Sequence, residues 1–150
     1  MQATGFNIKK GEIWYCTLEG TRGAPVYRKH DKHRFDAGQP RTDLANYFKQ
    51  TFSEMIDGTA GGRLAYRLSL DAKKADQVAY LTFPFGILNL IAHERGLEIR
   101  EYVAQSFSAK ALGFTGDKFE ACDTGIANRP ARWDKDAKFA ALSAWMALDA

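Results

Sequence analysis

The sequence predicts an α/β protein, a mixed sheet that opens as a β-meander and continues as αβαβα, with helices on the faces of the sheet. Three observations predict it. Strand-forming residues recur from Gly5 to Phe35 with breaks only at glycine-containing connections. Two stretches, beginning near Thr42 and Asp134, place apolar residues at helical spacing. Between them, Leu64, Tyr66, Leu68 and Leu70 alternate with Ala65, Arg67 and Ser69, the period of a half-buried strand.

The elements follow in order. Gly5 to Leu18 alternates imperfectly, but Ile8, Ile13, Trp14, Tyr15, Cys16 and Leu18 all favour strands. Lys9-Lys10-Gly11 is either a turn between two strands or a bulge in one long strand. Gly20 to Pro25 connects to a further strand, Val26 to Phe35, whose lysines and arginines suit a sheet edge that must not pair further. Ala37-Gly38-Gln39-Pro40 breaks the pattern. Thr42 is the expected N-cap of a helix whose stripe is Leu44, Phe48, Phe52, Met55 and Ile56, ended by Gly58. The alternating strand ends at Asp71. Proline is tolerated in a first helical turn, so the second helix is expected to begin near Pro84, with Phe85, Leu88, Ile91 and Ala92 inward and Gly96 at its end. Leu97 to Phe107 reads as a strand and Ala109 to Leu112 as a short helical piece. Gly113, Gly116, Gly125 and Pro130 then mark a long loop. Asp134 or its neighbourhood caps a final helix carrying Phe139, Leu142, Trp145 and Met146.

Composition narrows the class. At 150 residues the chain fits one domain able to bury a sizeable core, and 45% apolar with 26% charged residues is a globular composition, not a disordered one. No run reaches the ~18 apolar residues of a membrane span. No apolar stretch precedes the first lysines, which argues against a secretory signal. Cys16 and Cys122 are too few for a disulfide framework and are expected as reduced thiols of a cytoplasmic protein, with one long-range disulfide as the alternative. No Gly-x-x-x-x-Gly-Lys loop, nucleophile elbow or dinucleotide fingerprint occurs, so the common ATPase, hydrolase and dehydrogenase readings have no support.

The net charge of +3 is concentrated. Arg22, Arg28, Lys29, Lys32, Arg34 and Arg41 stand within one section against Asp31 and Asp36. The run Tyr27-Arg28-Lys29-His30-Asp31-Lys32-His33-Arg34-Phe35 interleaves aromatics with cations. Arg28, Lys29, Lys32 and Arg34 are therefore the candidate phosphate contacts, and the aromatics candidate base contacts. A solvated edge strand has the same composition. His30 and His33 with Asp31 and Asp36 lack a spacing suited to zinc.

The order of several segments resembles a known superfamily. They are Gly5-Phe6-Asn7-Ile8-Lys9-Lys10-Gly11-Glu12, Tyr47-Phe48-Lys49-Gln50-Thr51-Phe52, the strand ending near Arg67, and Leu88-Asn89-Leu90-Ile91 followed by Gly96-Leu97-Glu98. Together they resemble the RNase H-like superfamily and the RuvC-type Holliday junction resolvases within it, most of all a small bacterial family of uncharacterised RNase H-like proteins. The resemblance spans Gly5 to about Phe107. It implies a site in which carboxylates hold two divalent metals that activate water and stabilise the leaving oxygen. Mapped onto this chain, the first-strand acid falls on Asn7, the fourth-strand acid near Arg67 to Asp71, and the last-helix acids on Asp134 and Asp136. The implied catalytic set is Asp71, Asp134 and Asp136 with Asn7, and the implied Mg²⁺ or Mn²⁺ ligands are Asn7, Asp71 and Asp136. Asn7 brings no charge, and Arg67 repels a cation if it points at the site. The leading expectation is thus a nucleic-acid-associated RNase H-like protein with a degraded metal site, non-catalytic, binding DNA or RNA. Alternatives are a divalent-metal-dependent nuclease acting as a resolvase-like phosphodiesterase, and a protein-interaction or inhibitor module working with a protein partner or as a homodimer.

Overall fold

Five strands form one mixed sheet in the order β3-β2-β1-β4-β5, in a computed structural model that describes residues 1–59, 62–68 and 74–150, with Asp76 and Gln77 described by their backbone alone. β1 (Gln2–Lys9), β2 (Glu12–Thr21) and β3 (Ala24–Arg34) make the opening antiparallel meander. Lys10 and Gly11 turn the chain between the first two strands. Gly11 has φ 88°, a left-handed conformation that glycine adopts without a Cβ penalty. β4 (Arg63–Arg67) pairs parallel with β1, and β5 (Ile99–Tyr102) pairs parallel with β4. The N-terminal strand is thereby the centre of the sheet.

The two-residue period of the strands sorts their side chains into two cores. Phe6, Ile8, Ile13, Leu64 and Tyr66 face α1 (Arg41–Asp57) and α2 (Ala75–Glu94). Ala3, Trp14, Cys16, Leu18 and Ala65 face α5 (Lys135–Ala147), with α3 (Ala109–Leu112) and α4 (Lys118–Gly125) beside it. The stripe Leu44, Phe48, Phe52, Met55 and Ile56 is buried as its spacing predicts. Phe52 and Phe6 are fully enclosed and meet edge to face at 5.7 Å. Burying side chains of this size stabilises the fold by about 1.5–3 kcal/mol each. Thr4 and Thr17, buried within the sheet, satisfy each other through one 2.9 Å hydrogen bond.

Four expectations are corrected. The first helix begins at Arg41 and not after Thr42, because the carbonyl of Pro40 accepts the first helical bond from Leu44 N–H at 3.0 Å. The second helix begins at Ala75 and runs through Pro84. The missing proline N–H is offset by tertiary contacts of the preceding turns: Phe83 packs on Phe48, and the Tyr80 hydroxyl donates to the Ala37 carbonyl at 2.7 Å. The strand expected over Leu97 to Phe107 is only Ile99–Tyr102, which pairs with β4 as far as Arg67; the chain then curls into a 3₁₀ turn at Ala104–Ser106. The expected long loop contains α4, capped by Asp117, whose carboxylate accepts from the N–H groups of Phe119 (2.9 Å) and Glu120 (3.1 Å). Ser69 to Asp71, the expected end of the alternating strand, lies outside the described residues.

Candidate functional site at the ends of the central strands

The site begins with an absent side chain. α5 lies so close to β1 that a Cβ on Gly5 would sit 2.0 Å from the Ala140 carbonyl oxygen and 2.5 Å from the Ala144 nitrogen. Ala3 and Ala65, on the same face, are also small. This approach lets a side chain as short as Asn7, two residues further along β1, reach the first turn of α5. Asn7 is fully buried. Its Nδ2 donates to Asp136 Oδ1 at 3.2 Å and to the Asp136 carbonyl at 3.3 Å.

Two cations close the arrangement. Arg67 ends β4, next to β1, on the same face as Ala65. Its Nη2 donates to Asn7 Oδ1 at 3.1 Å, and its guanidinium carbon lies 3.9 Å from the centroid of the Phe139 ring. Lys9 Nζ pairs with Asp136 Oδ2 at 3.2 Å. Asn7 thus presents oxygen to a guanidinium and nitrogen to a carboxylate, a division of roles that an aspartate could not reproduce. Asp136 also gains from its place in the first turn of α5, where the helix dipole favours negative charge. The whole group lies outside the carboxyl ends of adjacent parallel strands, the general ligand-binding position of open α/β sheets.

The other expected site residues are less concentrated. Asp134 stands at the N-cap of α5, exposed, with no capping hydrogen bond from its side chain. Asp71 lies outside the described residues. Among the described residues, no cluster of three His, Cys, Asp or Glu side chains is placed to hold a metal ion. The β3 cations are distributed over both faces. Lys29 donates to the Gly58 carbonyl at 2.8 Å behind α1, whereas Lys32 lies 4.8 Å from the Trp14 ring centroid on the α5 face. Arg28 pairs with Glu19, and Arg34 lies 3.8 Å from Glu12.

Sequence reading misses a second cationic group beside Asn7. Phe119 on α4 and Phe139 on α5 meet edge to face, centroids 4.9 Å apart. Lys118 Nζ lies 5.5 Å from each ring centroid, and Lys135 Nζ lies 4.9 Å from that of Phe119. The one signal that could have found them is Asp117-Lys118-Phe119-Glu120, an acidic cap followed three residues later by glutamate. Burial pushes the Cys16 thiol well above its usual range and the Cys122 thiol up to about 12, and both are free cysteines. Burial pushes the Tyr66 hydroxyl up to about 12, helped by its 2.5 Å hydrogen bond to Glu101.

A meander whose first strand becomes the centre of a mixed sheet, with the last helix laid across it, defines an RNase H-like fold of the RuvC type. Among solved structures, the chain is similar to Thermus thermophilus RuvC in complex with a Holliday junction substrate, with TM-score 0.81, 10% identity, and coverage of 97% of this chain and 91% of that one. It is similar to a second T. thermophilus RuvC structure at TM-score 0.77 and 13% identity, covering 97% and 92%. It is also similar to the yeast mitochondrial Holliday junction resolvase Ydc2 at TM-score 0.71 and 13% identity, covering 96% and 77%. No protein-family model and no curated protein sequence matches the chain. At these identities the likeness is one of fold.

Proposed function

We propose that this chain is a nucleic-acid-binding member of the RNase H-like fold that does not cleave its ligand, because side-chain cations stand where a divalent metal would be needed. The observation that carries this reading is the Arg67 guanidinium on Asn7 Oδ1, with Lys9 on Asp136. Mg²⁺ and Mn²⁺ favour hard, anionic oxygen ligands. Among the described residues, one carboxylate and one neutral amide face two positive groups, and that donor set does not fit a pair of divalent ions. The nucleic-acid half of the reading is supported by the fold shared with resolvases, one of them solved with a Holliday junction, and by two basic surfaces. One is the β3 edge, whose Arg28, Lys29, Lys32 and Arg34 are spread over the two faces of the strand; the other is the sheet end with Lys9, Arg67, Lys118 and Lys135.

The test is a binding and cleavage assay on labelled four-way junction, duplex and single-stranded oligonucleotides, with and without millimolar Mg²⁺ or Mn²⁺. Binding that weakens steeply with salt, is indifferent to chelator and leaves the strands intact is the expected result. Metal-dependent cleavage abolished by Asp136→Asn would establish the nuclease instead. A protein partner retained after nuclease treatment, with no binding to any oligonucleotide, would favour the interaction module.

A further inference from the structure

We infer that the Phe119–Phe139 pair, rimmed by Lys118, Lys135 and Arg67, is a stacking platform for an unpaired base of a single-stranded nucleic acid, with the two lysines taking the flanking phosphates. This rests on the nucleic-acid reading above and names the ligand class and the surface.

Three observations carry it. The first is position: Phe139 follows Asp136 by one helical turn and touches Arg67, so the platform adjoins the ends of β1 and β4. The second is charge without counter-charge. Among the described residues, neither Lys118 nor Lys135 has an ion-pair partner, and three of the carboxylates around them are committed elsewhere. Asp136 takes Asn7 and Lys9; Asp123 takes Lys138 and the Trp133 indole N–H; Asp117 takes the backbone of α4. Glu120 and Asp134, both exposed, pair with neither lysine. The third is the rings themselves. Phe119 and Phe139 are only half-buried, and each ring lies within 5.5 Å of a lysine ammonium. A half-exposed aromatic face can also stack a nucleobase, which presents its own face only when it is out of a duplex. On binding, a base displaces the ammonium groups from the rings and leaves them beside its own phosphates. The β3 cations lack this combination, since Arg28 and Arg34 face Glu19 and Glu12.

The experiment is fluorescence anisotropy of a labelled oligothymidylate and of a blunt duplex of equal length, titrated with the full chain over a range of salt. The wild type should bind the single strand more tightly. Lys118→Ala/Lys135→Ala should flatten the logarithmic salt dependence by about 1.4, two phosphate contacts at roughly 0.7 each on a single strand. Phe119→Leu keeps apolar bulk and removes the π-face; it should weaken single-strand binding about tenfold, with a melting temperature near that of the wild type. Unchanged binding by both variants would overturn the platform, as would equal affinity for duplex. Loss on Arg28→Ala/Lys32→Ala with none on the platform variants would also overturn it, leaving the nucleic-acid reading in place. A wild-type chain that binds neither probe nor a four-way junction would remove that reading and the platform with it.

Discussion

Replacing Asn7 by aspartate tests the central arrangement most directly. The side chain is fully buried, so the change alters polarity at nearly constant shape. The nitrogen that donates to Asp136 Oδ1 at 3.2 Å becomes a carboxylate oxygen at that distance. At an effective dielectric of about 20, two unit charges so placed repel by about 5 kcal/mol. Arg67, 3.1 Å from the other oxygen, attracts by a similar amount, so the two contributions nearly cancel. What remains is the loss of two donated hydrogen bonds, about 1.5 kcal/mol each, plus the cost of desolvating a buried carboxylate, so the loss is at least roughly 3 kcal/mol. At about 2–4 °C per kcal/mol for a chain of this size, the variant should melt at least roughly 6–12 °C below the wild type. Millimolar Mn²⁺ should restore part of that loss and leave the wild type unmoved. The double variant Asn7→Asp/Arg67→Gln, deprived of its internal cation, should start lower and recover more. Thermal unfolding followed by intrinsic tryptophan fluorescence reads all three chains. An Asn7→Asp protein that melts with the wild type in chelator would refute the reasoning, for it would mean that Asn7 does not bridge Arg67 and Asp136.

Two further predictions concern the scaffold. Gly5→Ala drives a methyl group into the backbone of α5 at Ala140 and Ala144, where no side chain can move aside. It should therefore cost at least the upper end of the usual overpacking range, about 3 kcal/mol, in urea unfolding, and wild-type stability would show that α5 does not rest on β1. The thiols of Cys16 and Cys122, both raised by burial, should resist a thiol-exchange reagent at pH 8 in the folded chain and react in denaturant. Above about pH 9 the unfolded chain ionises its thiols while the folded chain keeps them protonated, so stability should fall with rising pH. Rapid labelling without denaturant would contradict the buried placement.

Much of the fold is legible in local pattern. The stripe from Leu44 to Ile56, the alternation around Tyr66 and the edge character of β3 each follow from side-chain period and propensity, which nearby residues set. Where the reading fails, a distant contact overrides a local signal. Pro84 reads as a helix start until Phe83 and Tyr80 are seen packed on Phe48 and Ala37, and α4 hides among glycines because its cap, Asp117, is a single residue. Within the site, Asn7 and Asp136 can be named from sequence through the resemblance, but their contact cannot, because 129 positions separate them.

From its residues alone, the polypeptide determines its class, most of its order of strands and helices, and the neutral side chain at the position where the resemblance expects an acid. Folding adds the partners. Gly5 admits α5 onto the central strand, and that approach sets Asp136 against Asn7, Arg67 against Phe139, and Lys118 and Lys135 around the aromatic pair. Helical and strand periods are written in neighbouring residues, whereas the charge balance of a site depends on side chains that meet only when remote segments pack.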